Sequence, residues 1–339
     1  MYESFFGLRK NPFIMSPDPG FLFLTESHRE ALAGLTYALT ARKGFVVLTG
    51  DAGTGKTTLL STILASMPSQ RVRFSFVLNP TLTPAEFLEL TLLDFGISDV
   101  PASKAKRLMR LQQFLVDTHA CGKIAVLIVD EAHKLSPEVL EEVRLLTNFE
   151  TPAGKMLQIV LAGQSELSEV LNRPDLRQLK QRIAVRLNID PLSDTEVDCY
   201  MRHRWTKAEA ATQLPFGAEA IRRIARWSHG IPRVVNSICD NALLLAFSSG
   251  TTQIGADHVL EVVADLDLAD RPSGNGKGSG PKPALPPVSS PVSSPNELRI
   301  PAPLPRPPEA TPFRTLERYA PATKPSLLAR WAGKLGLVQ

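Results

Sequence analysis

Eight consecutive residues near the start of the chain, at 50–57, have the types and spacing of a phosphate-binding loop. They match G-x-x-x-x-G-K-[ST] in full, follow a short apolar run at 45–48, and open a helical pattern. Glycines let the backbone fold around a phosphate chain so that its N–H groups and the positive end of the next helix face the anion. The residues expected to bind a nucleotide are Gly50, Asp51, Ala52, Gly53, Thr54, Gly55, Lys56, Thr57 and Thr58.

Two side chains of this run have individual predicted roles. Lys56 is expected to reach the β- and γ-phosphates of ATP, and the Thr57 hydroxyl is expected to coordinate Mg²⁺. A chance glycine-rich turn is the alternative. The strand pattern before the run and the helical pattern after it count against that alternative.

A second buried strand pattern, at 124–129, ends in two acids, Asp130 and Glu131. A carboxylate at the carboxyl end of a strand beside the loop is what a Mg²⁺ site needs. Asp130 is predicted to hold the metal through water, and Glu131 to polarise the attacking water as a general base. The alternative, two acids that begin a solvated loop, is disfavoured by the loop at residue 50. The sequence thus predicts binding and hydrolysis of ATP with Mg²⁺.

His133 completes the string Asp-Glu-Ala-His, which is also the signature of one group of helicases. Helicases of that group need a second motor domain with its own arginine-rich motif, and only a short helical segment follows the sheet pattern here. We therefore assign His133 no chemistry from the sequence.

Two further polar residues are candidates for contact with the nucleotide. Gln164 follows a strand pattern and is placed to contact the γ-phosphate or the attacking water; an amide that bonds its own backbone is an equal alternative. Arg233 lies in the first turn of a helix after Gly230. We expect it to bridge to the γ-phosphate across a domain interface, in preference to a plain surface charge.

Basic residues between 173 and 186 are candidates for a positive group supplied to a neighbouring subunit. Such a group stabilises charge in the transition state of nucleotide hydrolysis. Arg182 is the first candidate and Arg177 the second. A solvated basic helix is an equal alternative for either.

Strand and helix patterns alternate up to about residue 190 and then become helical throughout. This alternation predicts an α/β nucleotide-binding domain with a parallel sheet covered on both faces, at 1–191. A helical lid domain is predicted at 192–268, opened by a capping box at Ser193 and Glu196. The predicted strands are 45–48, 72–78, 124–129, 157–162 and 185–189, and the predicted helices are 27–41, 84–93, 104–118, 137–149, 218–227, a helix starting at 232, and 256–266.

The basic character of the chain belongs to its C-terminal part, at 271–339. Of the 339 residues, those at 1–270 carry 28 Lys/Arg against 31 Asp/Glu, whereas those at 271–339 carry 10 against 3 and also 15 of the 28 prolines. This composition predicts a disordered proline-rich linker at 269–325. A short basic amphipathic segment is predicted at 326–339, suited to an anionic membrane surface or a partner groove, with a frayed terminus as the alternative.

Several protein classes are excluded by what the sequence lacks. No stretch approaches the 18 apolar residues of a membrane-spanning helix, and the first residues do not resemble a secretion signal. Three widely spaced cysteines fit neither a disulfide framework nor a metal knuckle. We expect a cytoplasmic protein, at most peripheral to the inner membrane.

An aromatic cluster opens the chain. Its phenylalanines lie among prolines, and we expect them to cover one edge of the sheet near the base of the nucleotide, with peptide or membrane contact as the alternative. They are Phe5, Phe6, Phe13, Phe21 and Phe23.

The combined motifs resemble those of the AAA+ ATPases, and more narrowly those of the general secretion pathway protein A (ExeA-type) family. The resemblance covers about residues 1–268. It implies that 50–57 is the Walker A motif, 130–131 the Walker B motif, Gln164 sensor 1 and 230–233 sensor 2. The stretches that carry it are YESFFGLRKNPFIMSPDPGFLFLTESHREALAGLTYAL, VRLLTNFET, LQIVLAGQSEL, LRQLKQRI and GIPRVVNSICDNALLLA.

The family resemblance also implies a function and partners. It implies ATP hydrolysis that drives conformational or oligomeric switching during assembly of bacterial envelope secretion or pilus-type machinery, with a homo-oligomer in the ATP-bound state and an envelope or secretion-system protein as partner. Family members carry a transmembrane helix and a peptidoglycan-binding domain after the ATPase, whereas a proline-rich segment follows it here. Two alternatives stay open: an ATP-dependent DNA-binding regulator of the transposition or replication type, and a low-turnover scaffold ATPase. The net charge of −3 over 1–270 disfavours DNA.

Overall fold

Parallel strand pairing builds the sheet at the centre of this computed structural model. The structure describes residues 2–268 except Pro17, Ser69, Asn79, Pro80 and Ala153. The predicted linker at 269–325 and the amphipathic segment at 326–339 lie outside the described residues.

Strands and helices alternate up to residue 190, as predicted. Five long strands and a two-stranded hairpin are present in the part of the chain that the structure describes. The strands are β1 (Phe45–Gly50), β2 (Val72–Val77), β3 (Ile124–Val129), β4 (Glu150–Thr151), β5 (Gly154–Lys155), β6 (Leu157–Gly163) and β7 (Val185–Ile189). The helices over the same stretch are α1 (Glu26–Thr40), α2 (Lys56–Ser66), α3 (Pro84–Asp94), α4 (Lys104–Ala120), α5 (Pro137–Leu146), α6 (Glu166–Leu171) and α7 (Arg177–Lys180).

The five long strands form one parallel sheet in the order β2-β3-β6-β1-β7. Successive residues of the central strands point to opposite faces, and both faces are buried. Val47 and Leu127 lie in one apolar cluster and Val46 and Val126 in another, on the other face of the sheet. Burial on both faces explains why these strands are continuous apolar runs, and it confirms the predicted fold class.

The order of the strands has a direct consequence for the site. β6 lies between β1 and β3, although it follows both in the sequence. Because parallel strands end at the same edge of a sheet, the loop after β1, the acids after β3 and the residues after β6 all lie at one edge.

A helical region (residues 192–268) follows the sheet and contains no strand in the part described, apart from a single bridge between Phe216 and Ile254. Its first helix begins with the predicted capping box, in which Ser193 and Glu196 bond each other's backbone amides. The helices are α8 (Asp194–Lys207), α9 (Ala218–Ser228), α10 (Pro232–Ser248) and α11 (Ala256–Asp265).

The N-terminal aromatic residues pack into the helical region and not onto the sheet edge, so the sheet-edge part of our expectation was wrong. Phe21 and Phe23 nevertheless line the pocket beside the phosphate-binding loop, near the expected position of the nucleotide. Phe6, Phe13 and Phe21 belong to the apolar cluster of α8–α11, and the Phe13 ring is 6.2 Å from that of Phe216. Backbone hydrogen bonds join Gly7 to Ala211, and Asp240 accepts hydrogen bonds from the Tyr2 hydroxyl and the Asn11 amide. The short helices α8–α11 leave an apolar face, and the N-terminal segment that precedes α1 covers it.

Candidate nucleotide-binding site

The phosphate loop (residues 50–57) joins β1 to α2 in the strand-turn-helix arrangement that the motif requires. Gly50, Gly53 and Gly55 all have positive φ angles, of 154°, 82° and 101°. A Cβ on Gly50 would lie 2.6 Å from the carbonyl oxygen of Ile189, so the neighbouring strand leaves room only for glycine. Gly55 precedes α2 and supplies no side-chain cap. The first N–H groups of the helix can therefore bind an anion.

Lys56 is the first residue of α2 and is 5% exposed. Its Nζ donates to the carbonyl oxygens of Gly50 and Asp51, each at 2.8 Å. Burial lowers the pKa of Lys56, and the nearby carboxylates of Asp130 and Glu131 oppose that shift. Because little water surrounds this buried ammonium group, an anion that enters the loop would stabilise its positive charge.

Thr57 and Asp130, the two residues predicted to hold a metal, are hydrogen-bonded to each other. The Thr57 Oγ1 donates to Oδ2 of Asp130 at 2.6 Å, and Oδ1 of Asp130 accepts from the Glu131 N–H at 2.8 Å. Asp130 is 3% exposed. Among the described residues no group of three or more His, Cys, Asp or Glu side chains is placed to hold a metal. A hydroxyl and one carboxylate suit Mg²⁺, which completes its shell with water and phosphate oxygens.

Glu131 follows Asp130 in a strained backbone conformation with φ 54°. Its carboxylate is 36% exposed, lines the crevice, and lies 3.1 Å from Lys134 Nζ and 3.6 Å from His133 Nε2. The left-handed turn directs the side chain into the crevice, and its role as a general base stays a prediction.

Gln164 lies at the end of β6, between the loop and the acid pair. Its backbone N–H is 3.4 Å from Nδ1 of His133, the residue to which the sequence assigned no chemistry. The neighbouring Ser165 Oγ is 3.3 Å from the Asp51 carboxylate of the phosphate loop. The strand order thus places Gln164 at the sheet edge between β1 and β3, and its contact with nucleotide or water stays a prediction.

Arg233 reaches the phosphate loop from the helical region. Its N–H is 3.4 Å from the Gly53 carbonyl oxygen, and its side chain lines the crevice. A Cβ on Gly53 would lie 2.7 Å from the Arg233 Cβ, so the start of α10 packs directly on the loop. Pro232 at the first position of α10 supports this helix start, because proline has no N–H to leave unpaired there.

The two candidate arginines for a neighbouring subunit differ in their surroundings. Arg182 Nη1 donates to Thr147 Oγ1 at 2.6 Å and to Asn148 Oδ1 at 2.5 Å, just past the end of α5. Arg177 begins α7 and is exposed, and its side chain has no hydrogen bond or ion pair to the described residues. Arg182 is thus engaged within its own chain, whereas Arg177 is available to a second copy.

Several residues of the crevice gave no signal in the sequence. Arg204 is the clearest case: it lies over the Phe21 ring at 4.7 Å, donates to the Tyr200 hydroxyl, and bonds the carbonyls of Pro12 and Ile14. Only packing brings Arg204 to these two carbonyls, since they lie far away in the sequence. The lining residues that the sequence did not predict include Ile14, Met15, His28, Tyr200, Arg204 and Asn236.

The chain is similar to known proteins both in sequence and in fold. A family described as an AAA domain matches residues 39–171. General secretion pathway protein A of Aeromonas hydrophila is 44% identical over 270 residues, which are 79% of this chain and 48% of that protein. Residues 39–171 thus belong to the AAA domain family. The predicted resemblance to general secretion pathway protein A is confirmed, although the aligned part spans only about half of that relative.

Two more distant likenesses extend over most of both chains. ATP-dependent target DNA activator B of Escherichia phage D108 is 27% identical over 257 residues, covering 74% of this chain and 75% of that protein. A solved structure of the ORC2 protein of Aeropyrum pernix, in ADPNP-ADP complexes, matches with a TM-score of 0.56 at 17% identity. The match covers 76% of this chain and 71% of the ORC2 chain. At that identity the ORC2 likeness supports the fold alone.

No helix among the described residues is both long enough and apolar enough to cross a membrane.

Proposed function

We propose that this AAA+ protein binds and hydrolyses ATP with Mg²⁺ in the crevice between the sheet and the helical region. The observation that carries the proposal is that Lys56, the Thr57–Asp130 pair and Glu131 share one sheet edge, with the Arg233 backbone against the same loop. Each group has the chemistry that one part of phosphoryl transfer needs.

Each of these residues has a separate role in the proposed hydrolysis. The uncapped start of α2 and the Lys56 ammonium bind the phosphates, and Thr57 and Asp130 would hold Mg²⁺, which neutralises phosphate charge when bound. Glu131 accepts a proton from the attacking water, and Gln164 orients that water or the γ-phosphate. In an assembled oligomer, Arg177 is the better-placed candidate to supply a positive charge to the neighbouring site, because Arg182 is already bonded.

Bound nucleotide is proposed to change the position of the helical region or the oligomeric state. Arg233 would sense the γ-phosphate and draw α10 toward the loop. The similarity to general secretion pathway protein A supports a role in assembling bacterial envelope secretion or pilus-type machinery, at the cytoplasmic face of the inner membrane. An envelope or secretion-system protein is then the partner, and an ATP-bound homo-oligomer the working form.

The test compares the full chain with two variants. We expect wild-type protein to bind and hydrolyse ATP, Lys56→Ala to lose nucleotide binding, and Glu131→Gln to bind ATP while turning over about 100-fold more slowly. A chain that binds no nucleotide, or whose turnover survives both substitutions, contradicts the proposal.

A second candidate function is an ATP-dependent DNA-binding regulator. It is favoured by the similarity to ATP-dependent target DNA activator B, which extends over three quarters of that phage protein. Duplex DNA would then stimulate ATP turnover, and the stimulation would fall steeply with salt concentration. Recovery of the protein with inner-membrane components, without any effect of DNA, supports the assembly role instead.

A further inference from the structure

Two consecutive carbonyl groups of the phosphate loop meet donors from outside the loop. The Gly53 carbonyl is 3.4 Å from the N–H of Arg233, on α10. The Thr54 carbonyl is 3.1 Å from Nε2 of His28, on α1. One donor belongs to the helical region and the other to a helix that packs on β1, β7 and α2. The loop is therefore contacted from two sides, by the helical region and by a helix that packs on the sheet.

His28 is fully engaged within the protein. The residue is 3% exposed, and its Nδ1 lies 2.6 Å from the Oγ1 of Thr25, the residue that caps α1. Burial lowers the pKa of His28 and so favours the neutral ring. A carbonyl oxygen can only accept, so the proton must sit on Nε2, and Nδ1 must accept from the Thr25 hydroxyl. The Thr25 oxygen in turn accepts from the His28 N–H at 3.3 Å.

The direction of the loop carbonyls matters for anion binding. In a loop that cradles phosphates, the N–H groups face inward only while the carbonyls between them face outward. A buried outward carbonyl without a donor carries a desolvation cost, which favours a flipped peptide and a lost N–H. The Thr54 peptide immediately precedes Gly55 and the uncapped start of α2, where the phosphates are expected.

We propose that His28 is a positioning residue that keeps the Thr54 peptide, and with it the phosphate loop, in the anion-binding conformation while the helical region moves. This inference rests on the proposed nucleotide binding. The contact from Arg233 is lost whenever α10 withdraws, whereas His28 stays with the sheet. The loop therefore remains competent for nucleotide in the open form, and exchange does not require it to refold.

The experiment compares three variants of the full chain by equilibrium binding of a fluorescent ADP analogue, with thermal unfolding as the measure of folding. His28→Met removes the donor but keeps an unbranched side chain, and we expect it to weaken binding about tenfold or more. His28→Gln places an amide donor within reach of Thr54, and we expect its affinity to stay within about threefold of wild type. Leu35→Met, a buried apolar change on the same helix, controls for loosened packing and is expected to leave affinity unchanged.

A second measurement does not depend on the Met variant folding. The NMR spectrum of the full chain labelled with ¹⁵N-histidine contains six histidines, and the Gln variant identifies the signals of His28. We expect the neutral form with the proton on Nε2. A proton on Nδ1, or equal ADP affinity in the wild-type and Met variants, overturns the inference. Wild-type protein that binds no nucleotide overturns the proposed function instead, so the two failures are distinguishable.

Discussion

The two sides of the crevice hold their functional groups in different ways. On the sheet side, short hydrogen bonds of 2.6–2.8 Å tie Lys56, Thr57 and Asp130 to the loop and to one another. On the helical side, the link between Arg233 and the loop is one backbone contact of 3.4 Å, with side-chain packing around it. We therefore expect hydrolysis to depend on the preorganised sheet edge, and the proposed response to nucleotide to depend on the more loosely attached helices.

The helical region is joined to the sheet by two chain crossings. One runs through 22–25, since the segment before it packs with the helices and α1 packs on the sheet. The other runs through 190–193, where Leu192 N–H donates to the Gly230 carbonyl at 2.8 Å. Contacts at this second crossing constrain how the helices move.

The largest effect is expected from Gly230→Ala, because Gly230 packs against the chain crossing at 190–193. A Cβ there would lie 1.9 Å from the Leu192 carbonyl oxygen, and the backbone has φ 70°. We expect the free energy of unfolding to fall by about 3 kcal/mol in urea titrations.

Gly250→Ala is the matched control, because Gly250 has the same φ of 70° and nothing within 4 Å of the added Cβ. We expect this variant to lower the free energy of unfolding by only about 1 kcal/mol. Equal losses in the two variants would show that the close approach to Leu192 does not constrain the crossing.

The next largest effect is expected from Asp130→Asn, on the sheet side. The amide keeps the shape of the side chain but removes the charge that would hold Mg²⁺. We expect ATP turnover to fall about 10–100-fold, and the dependence of ATP affinity on added Mg²⁺ to weaken, as measured with and without chelator. Asp99→Asn, an exposed acid near Arg110, is the control and should behave as wild type. An unchanged response to Mg²⁺ would remove Asp130 from the metal site.

A smaller effect is expected from Arg233→Ala, because its backbone contact to Gly53 survives the substitution. We expect the preference for ATP over ADP to fall about fivefold in competition binding, since only ATP offers the γ-phosphate. Arg222→Ala, an exposed arginine paired with Glu219 on α9, is the control. If both variants keep the preference, the helical side does not sense the γ-phosphate through this side chain.

The smallest effects are expected on the stability of two arginine variants. Arg182→Ala leaves Thr147 and Asn148 without their donor and should lower the free energy of unfolding by about 1 kcal/mol. Arg177→Ala removes an exposed side chain and should change it by less than about 0.5 kcal/mol. Chemical unfolding of monomeric protein measures both, and a reversed order would mean that Arg177, not Arg182, is the arginine engaged within its own chain.

Local signals were enough to predict most of the elements that position the site. The strands at 124–129 and 185–189 begin and end as predicted, and the loop, the acid pair and the Pro232 helix start are where the motifs placed them. These features depend on neighbours in the sequence: an apolar run, a glycine at a positive φ, a cap. The helices α6 and α7 and the β4–β5 hairpin were not predicted, because segments of two to six residues carry too little periodicity.

Non-local contacts could not be predicted in the same way. The sequence shows that the N-terminal phenylalanines are apolar but not which surface they cover, because both the sheet edge and the helical region offer apolar surfaces. Nor does anything near His28 in the sequence indicate a bond to Thr54, 26 residues away.

By itself, then, the sequence determined which residue types this protein has for its proposed chemistry: the loop motif at 50–57, the acids at 130 and 131, and an α/β order followed by helices. Those properties follow from residue type and short-range spacing. The tertiary structure alone decided which groups meet, because strand order and helix packing are set by burial over the whole chain. It placed Gln164 between the loop and the acids, joined the N-terminal segment to the helical region, engaged Arg182, and brought His28 and Arg233 to adjacent carbonyls of one loop.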